Sequence, residues 1–250
     1  MAAAALLYGL HTLFLFTKSD MKTLIPPVWV HTLQLGLANQ TRTLLITPIR
    51  PIPAGRISIQ TARTLRWAMI PFCLLLSAAY GPRTTLVSLG ASLFMLTYNE
   101  GGGACGHWFS RNALNAIGYA LAEAGATLVA CRDEREADGI TCNAIALSAG
   151  IILTTIHTQD YKDMLGDAAI GRVTLPIAYP HQSRVATTLF LIAWSWGVSR
   201  LWHLDDFTAC GLSFLARTDA RADKVSFYGY NVWLCAVYTL PRYYRLRLVS

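Results

Sequence analysis

Three aspartates stand out by their spacing. Asp160, Asp163 and Asp167 lie at i, i+3 and i+7, directly after an apolar run that ends near Thr158. On a helix that spacing is one face. Carboxylates so grouped repel one another unless a cation lies between them. Mg²⁺ takes oxygen ligands and readily shares its shell with substrate phosphates. The cluster therefore reads as a Mg²⁺–diphosphate site, with Asp160, Asp163 and Asp167 as metal ligands and catalytic centre. The plainer alternative is a solvated helix end with ordinary surface acids, which an apolar setting makes less common. Lys162 and Arg172 are within reach of the same cluster and offer charge-assisted bonds to phosphate oxygens. Lys224 comes from another loop as a further diphosphate ligand, or else as an interfacial lysine whose stem lies along apolar surface. His157, three residues before Asp160, reads as a partner behind the cluster or as a satisfied core histidine.

The elements that must position these groups follow from composition. Of the 250 residues, 54% are hydrophobic and 14% charged, against about 25% charged in a soluble domain, and the mean hydropathy is +0.38. Too little polar surface remains to face water on all sides, so the lipid bilayer is the expected solvent. The apolar runs 67–80, 84–98, 108–130, 139–158, 185–202 and 226–240 read as membrane helices, since hydrocarbon demands that backbone hydrogen bonds close within each segment. Two shorter stretches, 24–38 after Pro26–Pro27 and 207–216, bring the expectation to about eight. Residues 1–22 lack a basic leading region and a small-residue cleavage site, and read as an interfacial or first helix rather than a cleaved signal. No strand alternation, repeat or low-complexity linker interrupts the chain, so 1–250 reads as a single all-α membrane domain.

Charge sets orientation. The net charge is +7. The basic residues sit in short loops between apolar runs, which fits positive-inside topology and phosphate binding rather than nucleic acid. Loop 41–66 holds five arginines and no acid. With 159–184 and 217–225 it falls on one side, the cytosolic one, while the tail with Arg242, Arg245 and Arg247 falls on the other. The six cysteines are scattered without ligand spacing, which argues against zinc or a disulfide framework. Glu123 lies at membrane depth, where an acid is functional by default, or bonds Asn112, Asn115 or a neighbouring helix. Arg111 and Asn112 would lie near a cytosolic helix start and could face a diphosphate. Glu100, beside Gly101–Gly102–Gly103, reads as part of a cap or as a loop acid.

Asp160-Tyr161-Lys162-Asp163, Gly166-Asp167, Gly171-Arg172, Thr174 and Pro176 resemble the second aspartate-rich motif of the UbiA superfamily of membrane prenyltransferases. Arg50-Pro51-Ile52-Pro53-Ala54-Gly55-Arg56 looks like the segment that follows that family's first acidic motif. Ala38-Asn39-Gln40, the stretch 98–108, Ala222-Asp223-Lys224, Trp233 and Leu240-Pro241 resemble a fungal branch that includes terpene cyclases. The resemblance implies a helical bundle around a central cavity, Mg²⁺ as cofactor and a prenyl diphosphate of farnesyl type as substrate. It also implies Arg50, Arg56 and Asn39 as diphosphate ligands, and a membrane that the fungal likeness makes the endoplasmic reticulum. Its first motif has no acid here, because no Asp or Glu occurs between Asp20 and Glu100; Asn39 and Gln40 would supply neutral oxygens instead. Three outcomes stay open at this level: a cyclase, a transferase to an aromatic acceptor, or a non-catalytic relic that keeps diphosphate affinity. A transporter would need paired broken helices, which the sequence lacks.

Overall fold

The computed structural model describes residues 55–103, 106–130, 138–169, 171–203, 213–216 and 219–249. The calls on Asn39, Gln40 and Arg50, and the expected helices in 1–22 and 24–38, lie outside these residues. The described residues are helical and contain no strand. In chain order the elements are α1 (Ile59–Ala78), α2 (Pro82–Asn99), α3 (Trp108–Ala130), α4 (Gly139–Thr155), two 3-10 turns (Ile156–Gln159 and Tyr161–Asp163), α5 (Met164–Ala169), α6 (Leu175–Ala178), α7 (Pro180–Leu201), α8 (Ser213–Ala216) and α9 (Ala220–Val249).

Local chemistry sets the boundaries. Ser58 caps α1, its Oγ accepting from the Thr61 N–H at 3.0 Å, so the helix begins eight residues before the apolar run at Trp67. At the start of α2, Gly81 has φ 133 and Pro82 occupies the first turn, where a missing N–H costs nothing. Asp138 caps α4 through the Thr141 N–H at 2.8 Å. Asp219 Oδ1 accepts from the N–H groups of Arg221 and Ala222 at the head of α9.

The packing divides the chain into two compact units. In the first, α1 and α2 pair as an antiparallel hairpin. The buried line of α2 is polar and small (Thr84, Ser88, Ser92), while Trp67, Phe72 and Leu75 of α1 and Leu86 and Leu93 of α2 face outward. In the second unit α4, α7 and α9 pack around Ile151, Ile152, Leu191, Val198, Tyr230 and Leu234. Hydrogen bonds tie these helices across the core. Trp233 Nε1 donates to Ser195 Oγ at 3.0 Å, Trp194 Nε1 donates to Thr154 Oγ1 at 2.8 Å, and the Thr155 and Tyr230 hydroxyls meet at 3.0 Å. Gly150 lets the Trp194 indole lie close, since a Cβ there would sit 2.9 Å from the ring. Outward leucines and tryptophans over buried hydroxyls invert the soluble pattern and suit helices packed in lipid. Among the described residues one segment, Gly139–Ala169, is long and apolar enough to cross a membrane by length and composition. The count of about eight spans therefore does not follow from the described helices.

Candidate functional site

The site grows from the end of α4. Thr155 closes the helix, and the chain continues through the two 3-10 turns that carry Asp160, Tyr161, Lys162 and Asp163. A 3-10 turn winds more tightly than an α-helix, so the single α-helical face expected for the three aspartates is broken. Asp160 and Asp167 end buried, whereas the Asp163 side chain is 55% exposed.

Each acid has its own cation. Asp160 is held from α3: Arg111 Nη1 donates to Oδ2 at 2.7 Å and Nη2 to Oδ1 at 2.6 Å, with both residues buried. Lys162 Nζ donates to Asp163 Oδ2 at 2.5 Å and to the Gln159 carbonyl at 3.1 Å, and lies 5.0 Å from the Phe227 ring centre. Arg172 Nη1 donates to Asp167 Oδ1 at 3.0 Å. A glycine makes that last contact possible. Gly171 has φ 71, its N–H bonds the Ala168 carbonyl and the Arg172 N–H bonds the Asp167 carbonyl. This is the paired closure of a helix C-terminus, and it folds Arg172 back over Asp167. The second oxygen of Asp167 is buried with no hydrogen-bond partner, and Asp160, Arg111 and Arg172 all lie within its electrostatic reach.

Tyr161 anchors the turn. Its hydroxyl and His157 Nε2 both meet Thr187 Oγ1, at 3.0 and 2.7 Å, and Thr187 gives its own proton to the Ser183 carbonyl at 2.8 Å. A hydroxyl has a single hydrogen, so Thr187 accepts from both, and His157 is protonated on Nε2. His157 is thus a core histidine packed behind the turn. Arg184 lies 4.5 Å from the Tyr161 ring centre, donates to both oxygens of Asp223 at 2.7 Å, and reaches the Phe214 carbonyl at 3.0 Å.

The sequence-predicted residues divide accordingly. The second unit contains Asp160, Lys162, Asp163, Asp167 and Arg172 on one stretch, with Arg111 added from α3. Arg56 belongs to the first unit. Lys224 is exposed on α9, while its neighbour Asp223 is the buried one. Glu100 pairs with Arg66 in the first unit. Asn112 donates to the Leu153 carbonyl at 3.3 Å and Asn115 to the Arg111 carbonyl at 3.0 Å. The Arg184–Asp223 pair escaped the sequence. Its one signal was an arginine opening the apolar run at 185.

Magnesium can be tested against these residues. The donors are hard carboxylate oxygens, as Mg²⁺ requires, and the partnerless Asp167 oxygen calls for a cation. Among the described residues no group of three or more His, Cys, Asp or Glu side chains is placed to hold a metal. The donor type thus fits Mg²⁺, and of the three predicted ligands Asp160 and Asp167 are buried, but the expected three-carboxylate cluster is not assembled among the described residues.

Residues 28–221 match the model of the UbiA prenyltransferase family. The chain belongs to that family. Its UbiA relatives include fumagillin beta-trans-bergamotene synthase af520 of Aspergillus fumigatus, 29% identical over 95% of this chain and 94% of the relative. Diterpene cyclase eriG of Hericium erinaceus is 26% identical over 86% of this chain and 72% of its own length. Polyprenyl transferase eriF of the same fungus is 29% identical over 62% and 52%. A solved structure concerned with digeranylgeranylglyceryl phosphate synthase in membranes has the same fold, with a TM-score of 0.56 at 17% identity, covering 94% of this chain and 84% of that one. The UbiA relatives are thus cyclases and transferases alike, and the fold is that of a membrane protein.

Proposed function

We propose that this protein is a Mg²⁺-dependent UbiA-type terpene cyclase that ionises a prenyl diphosphate of farnesyl type. The observation that carries the proposal is the convergence of Asp160, Asp167, Arg111 and Arg172 at the end of α4. Two buried carboxylates beside two guanidinium groups, with one Asp167 oxygen left without a hydrogen-bond partner, suit a metal-bound diphosphate.

Ionisation breaks the bond between the allylic carbon and the diphosphate oxygen. The electron pair leaves with the diphosphate, and a carbocation remains. Arg111, Arg172 and Lys162 donate N–H groups to the charge that develops on the leaving oxygens. Asp160, Asp163 and Asp167 would hold Mg²⁺, which when bound supplies Lewis-acid stabilisation of the leaving group. Phe227, Tyr230 and Trp233 form a row of rings on α9, with centres 6.1 and 6.2 Å apart. Aromatic faces stabilise a cation by roughly 0.5–2 kcal/mol each. In a cyclase the substrate's own double bond captures the cation, and a proton is lost. The family likeness alone adds Arg50, Arg56, Asn39 and Lys224 as diphosphate ligands, and puts the protein in the endoplasmic reticulum membrane with its acidic stretch on the cytosolic side.

A transferase to an aromatic acceptor is the second reading, favoured by the likeness to polyprenyl transferase eriF. One assay separates them. The protein in detergent receives farnesyl diphosphate and Mg²⁺ without acceptor, beside the Asp163→Ala variant. We expect a volatile terpene and released diphosphate, both lost by roughly 10²-fold or more in the variant. Product only on addition of a phenol or aromatic acid identifies a transferase. No product in either assay from folded protein identifies a relic.

A further inference from the structure

Asp160 lies between two residues whose side chains end on one oxygen. His157 precedes it by three positions and Tyr161 follows it, and both meet Thr187 Oγ1 on α7, at 2.7 and 3.0 Å. Thr187 gives its own hydrogen to the Ser183 carbonyl at 2.8 Å, so the hydroxyl uses its one donor and both acceptor positions. His157, Tyr161 and Thr187 are all buried. The backbone holds the same stretch by short ladders only: the Asp160 N–H reaches the His157 carbonyl at 2.9 Å and the Asp163 N–H reaches the Asp160 carbonyl at 3.0 Å. Hydrogen bonds of 3-10 turns have poorer geometry than those of an α-helix, so side-chain anchors weigh more in the shape of this segment. Both anchors lie on α7, while the Asp160 carboxylate is met from α3 by Arg111. The two legs are unequal. The Ser183 hydroxyl is also within reach of the Tyr161 hydroxyl, whereas His157 has Nε2 on Thr187 and no partner for Nδ1.

We propose that Thr187 is a positioning residue, whose hydroxyl holds both flanks of Asp160 and so fixes the turn that presents this acid to Arg111. Its consequence for turnover rests on the proposed ionisation chemistry. With the hydroxyl in place the turn is set before substrate arrives; without it the turn must be ordered on the way to the transition state, and preorganised charge is what such a site contributes. The effect therefore falls on kcat rather than on KM.

The test uses the full chain in detergent. Thr187→Val removes the hydroxyl at nearly constant volume, and Thr187→Ser keeps it. Thr154→Val is the matched control, because it leaves the Trp194 indole N–H without its partner in the same core. Hydrogen–deuterium exchange of a peptide spanning 156–164 reads the turn with no substrate present. We expect exchange to quicken roughly 10-fold in Thr187→Val, the equivalent of about one net hydrogen bond, and to keep the wild-type rate in Thr187→Ser and Thr154→Val. With farnesyl diphosphate and Mg²⁺, kcat for diphosphate release should fall on the order of 10–10²-fold in Thr187→Val, the scale of a small misplacement at a reacting centre, with KM little changed and kcat recovered in Thr187→Ser. If Thr187→Val does not fold, His157→Phe opens the leg that has no second partner and moves both readouts the same way by less. Unchanged exchange in Thr187→Val, or in His157→Phe in its place, overturns the proposal. So does a Thr187→Ser variant that behaves like Thr187→Val, or a Thr154→Val variant that loses as much kcat, since the defect is then one of packing. Wild-type protein that releases no diphosphate, with or without an aromatic acceptor, strikes the proposed activity; the exchange rates then decide alone whether Thr187 holds the turn.

Discussion

Two buried arginine–aspartate pairs lie in the same half of the molecule, and their geometry is nearly identical. Arg111 grips Asp160 at 2.7 and 2.6 Å, and Arg184 grips Asp223 at 2.7 and 2.7 Å. Distance and burial do not distinguish them. Their surroundings do. Arg184 also donates to the Phe214 carbonyl and covers the Tyr161 ring, so it binds α7, α8, α9 and the Asp-bearing turn into one joint. Arg111 faces a second acid, Asp167, whose buried Oδ2 has no partner and whose own arginine sits at the rim. A pair enclosed by its own satisfied contacts is a strut; a pair beside an incompletely satisfied carboxylate has somewhere for charge to go.

The sharpest way to break this comparison is to remove one arginine. Arg184→Met leaves Asp223 buried without its partner, and we expect a stability loss of about 3–5 kcal/mol, seen as a lower melting temperature in detergent. The double variant Arg184→Met/Asp223→Leu should recover most of it, because an ion pair replaced by apolar groups of similar volume is near neutral. Failure of the double variant to recover would mean that the Arg184 contacts to Phe214 and Tyr161, rather than its charge partner, carry the joint.

A smaller effect tests how the joint reaches the site. Tyr161→Phe keeps the ring beneath Arg184 but drops the O–H donated to Thr187. The expected cost is about 1 kcal/mol in stability, and terpene output should fall modestly as the turn loosens. Unchanged output at unchanged substrate demand would separate the strut from the chemistry altogether. The smallest effect belongs to the core away from both pairs. Thr155→Val removes the bond to the Tyr230 hydroxyl, and hydrogen bonds between membrane helices average about 0.6 kcal/mol. A loss several times larger, measured by the same melting assay, would place Thr155 in the site rather than behind it.

The long apolar helices were legible. The run 108–130 is α3 residue for residue, and the run from 139 starts where α4 starts. Elsewhere apolar runs marked only the middle of a helix. α9 extends from Ala220 to Val249 around the expected 226–240, and α1 begins at Ile59 rather than 67. Hydropathy detects the part of a helix that meets lipid, whereas capping residues such as Ser58 and Asp219 determine where hydrogen bonding begins. Pro241 did not end α9, because a proline can be carried within a long packed helix when neighbouring elements hold it. The aspartates were found by spacing, but the expectation of one shared face assumed an α-helix that gives way to 3-10 turns at Ile156.

Residue type and order by themselves determined the solvent of this protein, its helical class, and the acidic stretch with Lys162 and Arg172 beside it, because all three are local properties of the chain. Tertiary structure alone decided which cation holds which acid. Arg111 lies 49 positions from Asp160, and Arg184 lies 39 from Asp223. No periodicity spans such gaps. They close only when α3 meets the end of α4 and α7 meets α9, and burial then turns a scattered set of charges into specific pairs, since an ion far from water must find a partner or not be there at all.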